Sequence, residues 1–281
     1  MPVRLTILGS GSSGNCAFLE TGEARILIDA GFSLRQVRQR LASIGRTPEC
    51  LTGIIITHEH SDHVQGVAAL SEKLQVPVYC NRPTGEAIEY QAHAKIDKRL
   101  FATGDSFELG DLLIETFNIP HDAQDPVGFL IRTPAGNIGF LTDLGHATRL
   151  VLERVRRANV LVLEANHDVK LLQDCPHRPW SLKQRILGRH GHLSNESAAD
   201  AAEAIMSADL CHLYLAHLSQ QCNRPELAHR VMNSRMEKIG ASHVRLELTF
   251  QKAPCPTLVL EDGPNRPQAA ALIHEQATLG L

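Results

Sequence analysis

The chain lacks the features that mark membrane, secreted and disulfide-bonded proteins. None of its apolar runs approaches the roughly 18 residues that a membrane-spanning helix needs. The N-terminus, Met1-Pro2-Val3-Arg4, leads straight into a strand pattern, so we expect no signal peptide. The seven cysteines are an odd number without a Cys-x-x-Cys pair, which favours reduced thiols over a disulfide framework. We therefore expect a cytoplasmic protein with no membrane partner.

A strong charge bias, short-period repeats and low-complexity linkers are also missing. The net charge of −3 neither requires nor excludes a nucleic-acid partner, because a local basic patch can suffice. A hydrophobic content of 43% in 281 residues allows a large core. Strand and helix patterns alternate along the chain, and a second set of elements begins near Val127. This pattern predicts an α/β protein built from two similar halves.

The segment His58-Glu59-His60-Ser61-Asp62-His63 directly follows the apolar run 53–57. His58 and His60 alternate along extended backbone, so both can point the same way. Asp62 and His63 begin the next helix and can face a second point nearby. Imidazole and carboxylate ligands together suit zinc, iron or manganese. The segment therefore predicts a metal site, with a chance cluster of polar loop residues as the alternative.

Three further candidate ligands follow apolar strands elsewhere in the chain. They are His121 after 112–118, Asp143 after 138–142 and His217 after 211–216. A lone histidine is more often structural or solvated than a ligand. Because strand ends converge on one edge of a sandwich, we expect these three side chains to lie near the histidine segment.

Taken together, these motifs resemble the metallo-β-lactamase superfamily of hydrolases over about residues 3 to 260, with Asp29 as an additional match. Within the superfamily the chain is most similar to the YycJ/WalJ branch. The residues behind that closer resemblance are Leu8-Gly9-Ser10-Gly11-Ser12-Ser13-Gly14-Asn15, Thr142-Asp143-Leu144-Gly145, Leu163-Glu164-Ala165-Asn166-His167-Asp168, Gly191-His192-Leu193-Ser194-Asn195 and His217-Leu218-Ser219.

The resemblance implies a four-layer αββα sandwich over residues 1–262, followed by a C-terminal tail, 263–281. It also implies two divalent metal ions, Zn²⁺ or Mn²⁺, at one edge of the sandwich. The implied ligands are His58, His60 and His121 for one ion, Asp62, His63 and His217 for the other, and Asp143 as a bridge. Asp29 would fix the histidine segment by hydrogen bonds. Its alternative role is that of an ordinary strand-end aspartate.

His192 is a candidate proton donor. In relatives such as tRNase Z, a histidine in a similar Gly-His-Ser/Thr setting protonates the leaving oxygen, and Glu164 resembles the acid that orients it. Cleavage of a phosphodiester expels an alkoxide, which an adjacent imidazolium can protonate. The alternative is a histidine near the cap of a helix at 195–206. His167 could line the site, supporting it from behind the ligands, or cap a short helix.

The glycine-rich segment 9–14 matches Gly-x-Gly-x-x-Gly, but a strand pattern rather than a helix follows it, so we reject a dinucleotide site. Two interpretations stay open. Its backbone N–H groups could line the metal site and hold a phosphate oxygen, or the segment could be a tight turn between strands. The first interpretation makes candidate phosphate ligands of Ser10, Ser12, Ser13 and Asn15.

A basic stretch contains Arg178, Lys183, Arg185 and Arg189, and no acidic residue occurs between Asp174 and Glu196. Trp180, the only tryptophan, lies among these cations. Such a strip could contact phosphates and stack a base. A solvated helix face is the alternative explanation.

The leading hypothesis is a binuclear metal-dependent phosphodiesterase that acts on nucleic acid. Relatives in the YycJ/WalJ branch are taken to be DNA exonucleases, so the resemblance implies 5′→3′ cleavage of DNA. A hydroxide between the metals would attack the phosphodiester, with Asp62, His192 and Glu164 as catalytic residues. The alternative is a hydrolase of small phosphodiesters or thioesters on the same metal site. The sequence leaves the oligomeric state open.

Overall fold

Two seven-stranded β-sheets are stacked in the computed structural model, which describes residues 2–261. The first sheet contains β1 (Val3–Gly9), β2 (Cys16–Glu20), β3 (Arg25–Ile28), β4 (Gly53–Ile55), β5 (Val78–Cys80), β6 (Lys98–Leu100) and β14 (Leu258–Leu260). The second contains β7 (Ser106–Leu109), β8 (Leu112–Asn118), β9 (Val127–Thr133), β10 (Gly136–Leu141), β11 (Val160–Glu164), β12 (His212–Ala216) and β13 (Arg245–Leu248). Their strand orders are β14-β1-β2-β3-β4-β5-β6 and β13-β12-β11-β10-β9-β8-β7.

Helices cover the outer faces of both sheets. The helices among residues 2–261 are α1 (Leu34–Ser43), α2 (Ser61–Val64), α3 (Val67–Leu74), α4 (Arg82–Ala92), α5 (Arg149–Val155), α6 (Val169–Asp174), α7 (Trp180–Leu187), α8 (Asn195–Ile205) and α9 (Pro225–Lys238), with a 3₁₀ turn at Pro48–Cys50. Side chains of α1, α3 and α4 pack on the first sheet, and those of α5, α8 and α9 pack on the second. A third apolar cluster fills the space between the sheets. The predicted αββα sandwich is confirmed.

Local sequence explains how several of these elements form. Ser33 caps α1 by accepting a hydrogen bond from Gln36 N, while the Gln36 side chain accepts one from Ser33 N. In β8, Ile114 faces the cluster between the sheets, whereas Phe117 faces the helices on the outer side. This alternation follows from the two-residue period of a strand.

Two features of the elements depend on the tertiary structure. The helix expected at Asp62 and His63 is α2, which ends at Val64, and α3 begins at Val67 after Gly66, whose N–H donates to Ala30 O at 2.8 Å. A Cβ at this glycine would lie 2.2 Å from Phe32 O, so the close backbone approach requires glycine. The second half also begins earlier than Val127, because β7 and β8 already belong to the second sheet.

The predicted tail, residues 263–281, lies outside the described residues. Within 2–261, no helix combines the length and the apolar character that a membrane span requires. All seven cysteines are present as free thiols.

Candidate metal centre and active site

One edge of the sandwich collects the residues that follow β3, β4, β8, β10 and β12. The histidine segment leaves the first sheet after β4, while Asp143 and His217 follow β10 and β12 of the second. Asp29, Asp143 and His217 adopt left-handed backbone conformations with φ of 58°, 57° and 56°. Such conformations cost non-glycine residues roughly 1–3 kcal/mol and occur where the surrounding structure enforces them. The ends of these strands thus lie at the same edge of the sandwich, as the sequence predicted.

The first group of possible ligands is His58, His60 and His121. His60 Nδ1 lies 3.0 Å from His58 Nε2 and 3.2 Å from His121 Nε2. The Nδ1 atoms of His58 and His121 contact other groups of the protein. His58 Nδ1 lies 3.0 Å from Thr57 Oγ1, and His121 Nδ1 donates to Gly191 O at 3.1 Å. These contacts aim His58 Nε2 and His121 Nε2 at one common point.

The second group is Asp62, His63 and His217. Asp62 Oδ2 lies 3.6 Å from His63 Nε2 and 3.3 Å from His217 Nε2. His63 Nδ1 donates to Asp29 Oδ2 at 2.7 Å, and His217 Nδ1 donates to Glu164 Oε1 at 2.8 Å. Asp29 also accepts a hydrogen bond from Thr57 N, the residue directly before the histidine segment.

Asp143 lies between the two groups. Its Oδ2 is 3.0 Å from His63 Nε2, and its Oδ1 is 3.8 Å from His121 Nε2. Oδ2 is buried and accepts no well-aligned hydrogen bond within residues 2–261. The ligand atoms of each group lie within 4.8 Å of one another, which is close enough for a shared ion. The donor set and the unsatisfied carboxylate oxygen fit divalent metal ions.

Buried carboxylates and buried imidazoles lie side by side in this centre and shift each other's pKa values. Burial lowers the pKa of His217, but Asp143, Asp62 and Glu164 outweigh it and raise that pKa to about 10. The pKa of Asp143 lies well below its usual range despite burial, because His217 and His63 stabilise the carboxylate. Since metal ligands bind in their deprotonated forms, a divalent ion would replace protons on these imidazoles.

His192 and Glu164 form a pair beside Asp143. His192 Nδ1 lies 2.8 Å from Glu164 Oε1 and 3.6 Å from Asp143 Oδ1. Burial lowers the pKa of His192, but the Glu164 carboxylate raises it above the ordinary value. Glu164 Oε2 accepts the N–H groups of Leu144 and Leu193, so the carboxylate is fixed in place.

The alternative role of both His192 and His167 was to cap a helix, and in each case another residue forms the cap. Ser194, not His192, caps α8 by accepting a hydrogen bond from Ser197 N. Asp168, not His167, caps α6. His167 is buried, neither ring nitrogen has a partner among residues 2–261, and the ring does not border the cavity. The predicted capping role of His167 is therefore wrong, whereas its place behind the ligands stays a prediction.

A cavity of about 170 Å³ opens onto the metal centre. Leu182, Arg185 and Ile186 of α7 border it together with Arg178 and Ser12. The side chains of the predicted basic strip do not share this surface. Arg178 and Arg185 reach the cavity, whereas Arg189 and Lys183 do not border it.

The interactions of these cations differ. Arg185 is paired with Asp122, which directly follows His121. Lys183 is only 9% exposed and donates to Gln173 O at 2.7 Å, so its predicted phosphate contact is wrong. Arg189 approaches His146 instead. Arg178 has no ion pair or hydrogen bond within the described part of the chain, and its Nε is buried.

Sequence reasoning missed Asp122. Its only signal was its position next to a candidate ligand, and the pairing partner Arg185 is 63 residues away.

Trp180 is 60% exposed at the start of α7, two residues after Arg178.

The glycine-rich loop uses its backbone N–H groups internally. Gly11 N donates to Asn15 Oδ1, Ser13 N to Gln251 Oε1, and Asn15 N to Asp62 O. The N–H groups of Ser10 and Gly14 are also bonded within the protein. These five N–H groups are therefore not available to a phosphate oxygen. Ser12 is the loop residue that borders the cavity, so a phosphate contact by this loop stays a prediction for Ser12. Ser10 and Asn15 are buried and face inward.

Comparison with known proteins assigns this geometry to a family. The Beta-lactamase superfamily domain matches residues 24–217. The chain belongs to the β-lactamase superfamily. Exodeoxyribonuclease WalJ of Streptococcus pneumoniae serotype 2 (strain D39 / NCTC 7466) is 40% identical over 233 residues, which cover 82% of this chain and 86% of WalJ.

Further matches narrow the position within the superfamily. Exodeoxyribonuclease YycJ of Bacillus anthracis is 35% identical over 242 residues, 85% of this chain and 91% of YycJ. The chain is thus a member of the YycJ/WalJ group of the superfamily, as its motifs predicted. The crystal structure of the metallo-β-lactamase fold protein YhfI from Bacillus subtilis superposes with a TM-score of 0.70 at 15% identity, covering 92% of this chain and all of YhfI (100%). At that identity the likeness shows the fold.

Proposed function

We propose that this protein is a metal-dependent exodeoxyribonuclease that binds two zinc or manganese ions and degrades DNA in the 5′→3′ direction. The observation that carries the proposal is the His192–Glu164 pair placed beside two groups of metal ligands. The exodeoxyribonuclease names of WalJ and YycJ, which match more than four fifths of the chain, support the choice of DNA. Its free cysteines suit the reducing cytoplasm, where we expect it to act.

The residues divide the chemistry between them. His58, His60 and His121 would hold one ion, Asp62, His63 and His217 the other, and Asp143 would contact both. When bound, two divalent ions supply Lewis acidity to the phosphodiester and activate water at neutral pH. Glu164 holds His192 Nδ1, which leaves the other ring nitrogen available to protonate the departing alkoxide. Glu164 also favours the protonated form of this imidazole, because its carboxylate raises the pKa of His192.

The cavity limits how much of the substrate it can enclose. A volume of about 170 Å³ is below the roughly 300–1,000 Å³ of sites that enclose drug-sized ligands. The cavity therefore has room for a phosphate and part of a sugar, and the rest of the DNA lies outside. Arg178 is the cation best placed to contact a phosphate, because Asp122 neutralises Arg185. The exposed Trp180 ring, two residues after Arg178, offers a surface for base stacking.

End-labelled duplexes test the proposal. The protein loaded with Zn²⁺ or Mn²⁺ should release labelled mononucleotides early from a 5′-labelled strand and late from a 3′-labelled strand. Circular duplex DNA should stay intact. Early release from the 3′ label would contradict the polarity. Intact DNA and RNA combined with rapid hydrolysis of small phosphodiesters or thioesters would replace the nuclease with the small-molecule hydrolase.

A further inference from the structure

Ser10 and Asn15 make contacts that are not needed for a turn. Asn15 is 4% exposed, and its amide Nδ2 lies 3.3 Å from Asp62 Oδ2 and 3.1 Å from His63 Nε2. On its other side, Asn15 Oδ1 accepts hydrogen bonds from Ser10 Oγ and Gly11 N, both at 2.9 Å. The amide orientation is thereby fixed, because Gly11 N can only donate.

Ser10 continues this chain of contacts to the remaining ligand of the second group. Its hydroxyl accepts a hydrogen bond from His217 N at 2.8 Å while it donates to Asn15. His217 has a left-handed backbone with φ of 56°, so its N–H leaves the strand direction and needs a partner other than the sheet. Ser10 supplies that partner inside the protein.

The contacts are restricted to one of the two ligand groups. Asp62 Oδ2 accepts a hydrogen bond from Asn15 Nδ2, and His217 N donates to Ser10 Oγ. Asn15 Nδ2 also lies close to His63 Nε2, but that is the nitrogen that would bind the ion, so this contact does not orient the His63 ring. The described contacts of His58, His60 and His121 involve one another, Thr57, Gly191, the acidic residues of the centre and the rings of His63 and His192, and none involves Ser10 or Asn15. Ser10 and Asn15 therefore support the second group only, although Thr57 and Asp143 contact both groups.

We propose that the Ser10–Asn15 pair is a positioning device for the second metal site alone, setting the orientation of Asp62 and His217. The inference rests on the proposed binuclear centre and assigns Ser10 and Asn15 a role other than phosphate contact. Losing such a supporting contact typically lowers metal affinity by about 10–100-fold. We expect that loss at one of two ions, with the other ion held as tightly as before.

Graded extraction of zinc from the purified holoenzyme tests this inference without measuring catalysis. The variants are Asn15→Ala, Asn15→Asp and Ser10→Ala. Bound zinc per chain is measured by elemental analysis at increasing chelator concentration. In Asn15→Ala and Ser10→Ala, one equivalent should leave at a chelator concentration about 10–100-fold lower than in the wild type. Asn15→Asp keeps the acceptor for Ser10 but loses the donor, so it should show the same defect.

Two controls separate positioning from general loosening of the loop. Gln251 fixes the same loop through Ser13 N and Gly14 O without touching a ligand, so Gln251→Ala should retain both zinc ions as the wild type does. Ser10→Thr keeps the hydroxyl and should restore the affinity lost in Ser10→Ala. Circular dichroism verifies that each variant is folded.

Several outcomes would overturn the inference. Wild-type extraction curves in all three variants would remove the positioning role. Equal weakening of both ions, or the same defect in Gln251→Ala, would show that the loop matters only for overall structure. A wild-type protein that binds no divalent metal would refute the proposed function itself, and this inference with it.

Discussion

At the scale of single residues, Glu164 is the most constrained acid of the site. One oxygen accepts hydrogen bonds from His192 and His217, and the other accepts two backbone N–H groups. It therefore connects the candidate proton donor to a candidate metal ligand. Because all its acceptor positions are used inside the protein, its own role is to hold other groups in place.

Replacing His192 by alanine should separate protonation of the leaving group from metal binding. We expect a loss of roughly 10²–10⁴-fold in rate on DNA, whose alkoxide leaving group needs a proton. Hydrolysis of a bis(nitrophenyl) phosphate should fall much less, because nitrophenolate leaves without protonation. Rates on both substrates, with metal content measured in parallel, check the prediction. Equal losses on the two substrates would exclude the donor role, and loss of metal would make His192 a ligand.

Glu20 provides a pH-dependent contribution to stability away from the site. Burial raises its pKa, but hydrogen bonds from Arg46 and Arg25 hold it below the ordinary value of 4.5. Because the pKa is lower in the folded state, the stabilisation is complete above the unfolded pKa and is lost as pH falls through the folded one. Glu20→Gln should lower the free energy of unfolding by about 1 kcal/mol at pH 7.

Urea denaturation of the wild type and Glu20→Gln at several pH values measures this contribution. The difference in unfolding free energy should be constant from pH 7 to about pH 5 and should shrink below about pH 4. Glu49→Gln, which removes an exposed pair with Arg38, serves as the matched control and should have a smaller effect. A difference that grows on acidification would contradict the assignment.

At the scale of elements, α7 and the residues before it form one wall of the cavity. Only part of the basic stretch faces that wall, because a helix directs neighbouring side chains to different sides. Lys183 points inward to a carbonyl of the preceding segment, and Arg189 approaches His146. Arg178 is left without a protein partner among residues 2–261 and borders the cavity.

The different positions of Arg178, at the cavity, and Arg189, outside it, predict how salt affects DNA binding by variants of each residue. Each phosphate contact contributes about 0.9 to the slope of log affinity against log salt concentration for duplex DNA. Arg178→Gln should therefore weaken binding and reduce that slope by about one unit. Arg189→Gln removes the same charge outside the cavity and should leave the slope close to that of the wild type. Fluorescence anisotropy at several salt concentrations measures both, and equal slopes for the two variants would refute a specific Arg178 contact.

At the scale of the whole molecule, the candidate metal centre joins the two sheets. The histidine segment leaves the first sheet, whereas His121, Asp143 and His217 leave the second. Ions bound by both sets would connect the halves of the sandwich. Ligands that bind only the folded state stabilise it by about 2.7 kcal/mol at a concentration 100-fold above Kd.

Chelation should therefore lower the thermal stability of the protein as well as its activity. We expect a decrease in Tm of several degrees, since 1 kcal/mol corresponds to about 2–4 °C in chains of this size. Scanning calorimetry before and after metal removal measures the decrease, and added Zn²⁺ should reverse it. Asp143→Ala should show a much smaller response to chelator. The same Tm with and without metal would contradict a centre that joins the sheets.

The positions of the candidate ligands and the layered fold could be predicted from the sequence. Each ligand follows an apolar run with strand character, and the ends of neighbouring strands must meet at one edge of a sheet. The Ser33 cap of α1 is likewise a local feature, because its partner Gln36 is three residues away. These features depend on local periodicity, turn chemistry and the spacing of a short motif.

Contacts between distant parts of the chain were decided only by the tertiary structure. Asn15 meets Asp62 across 47 residues, and Ser10 meets His217 across 207. The same packing buries Lys183, separates α2 from α3 at Gly66 and makes Asp122 the partner of Arg185. A sequence pattern specifies which residues can bind a phosphate or a metal. Which of them face the site depends on the side chains and backbone that the fold packs around them.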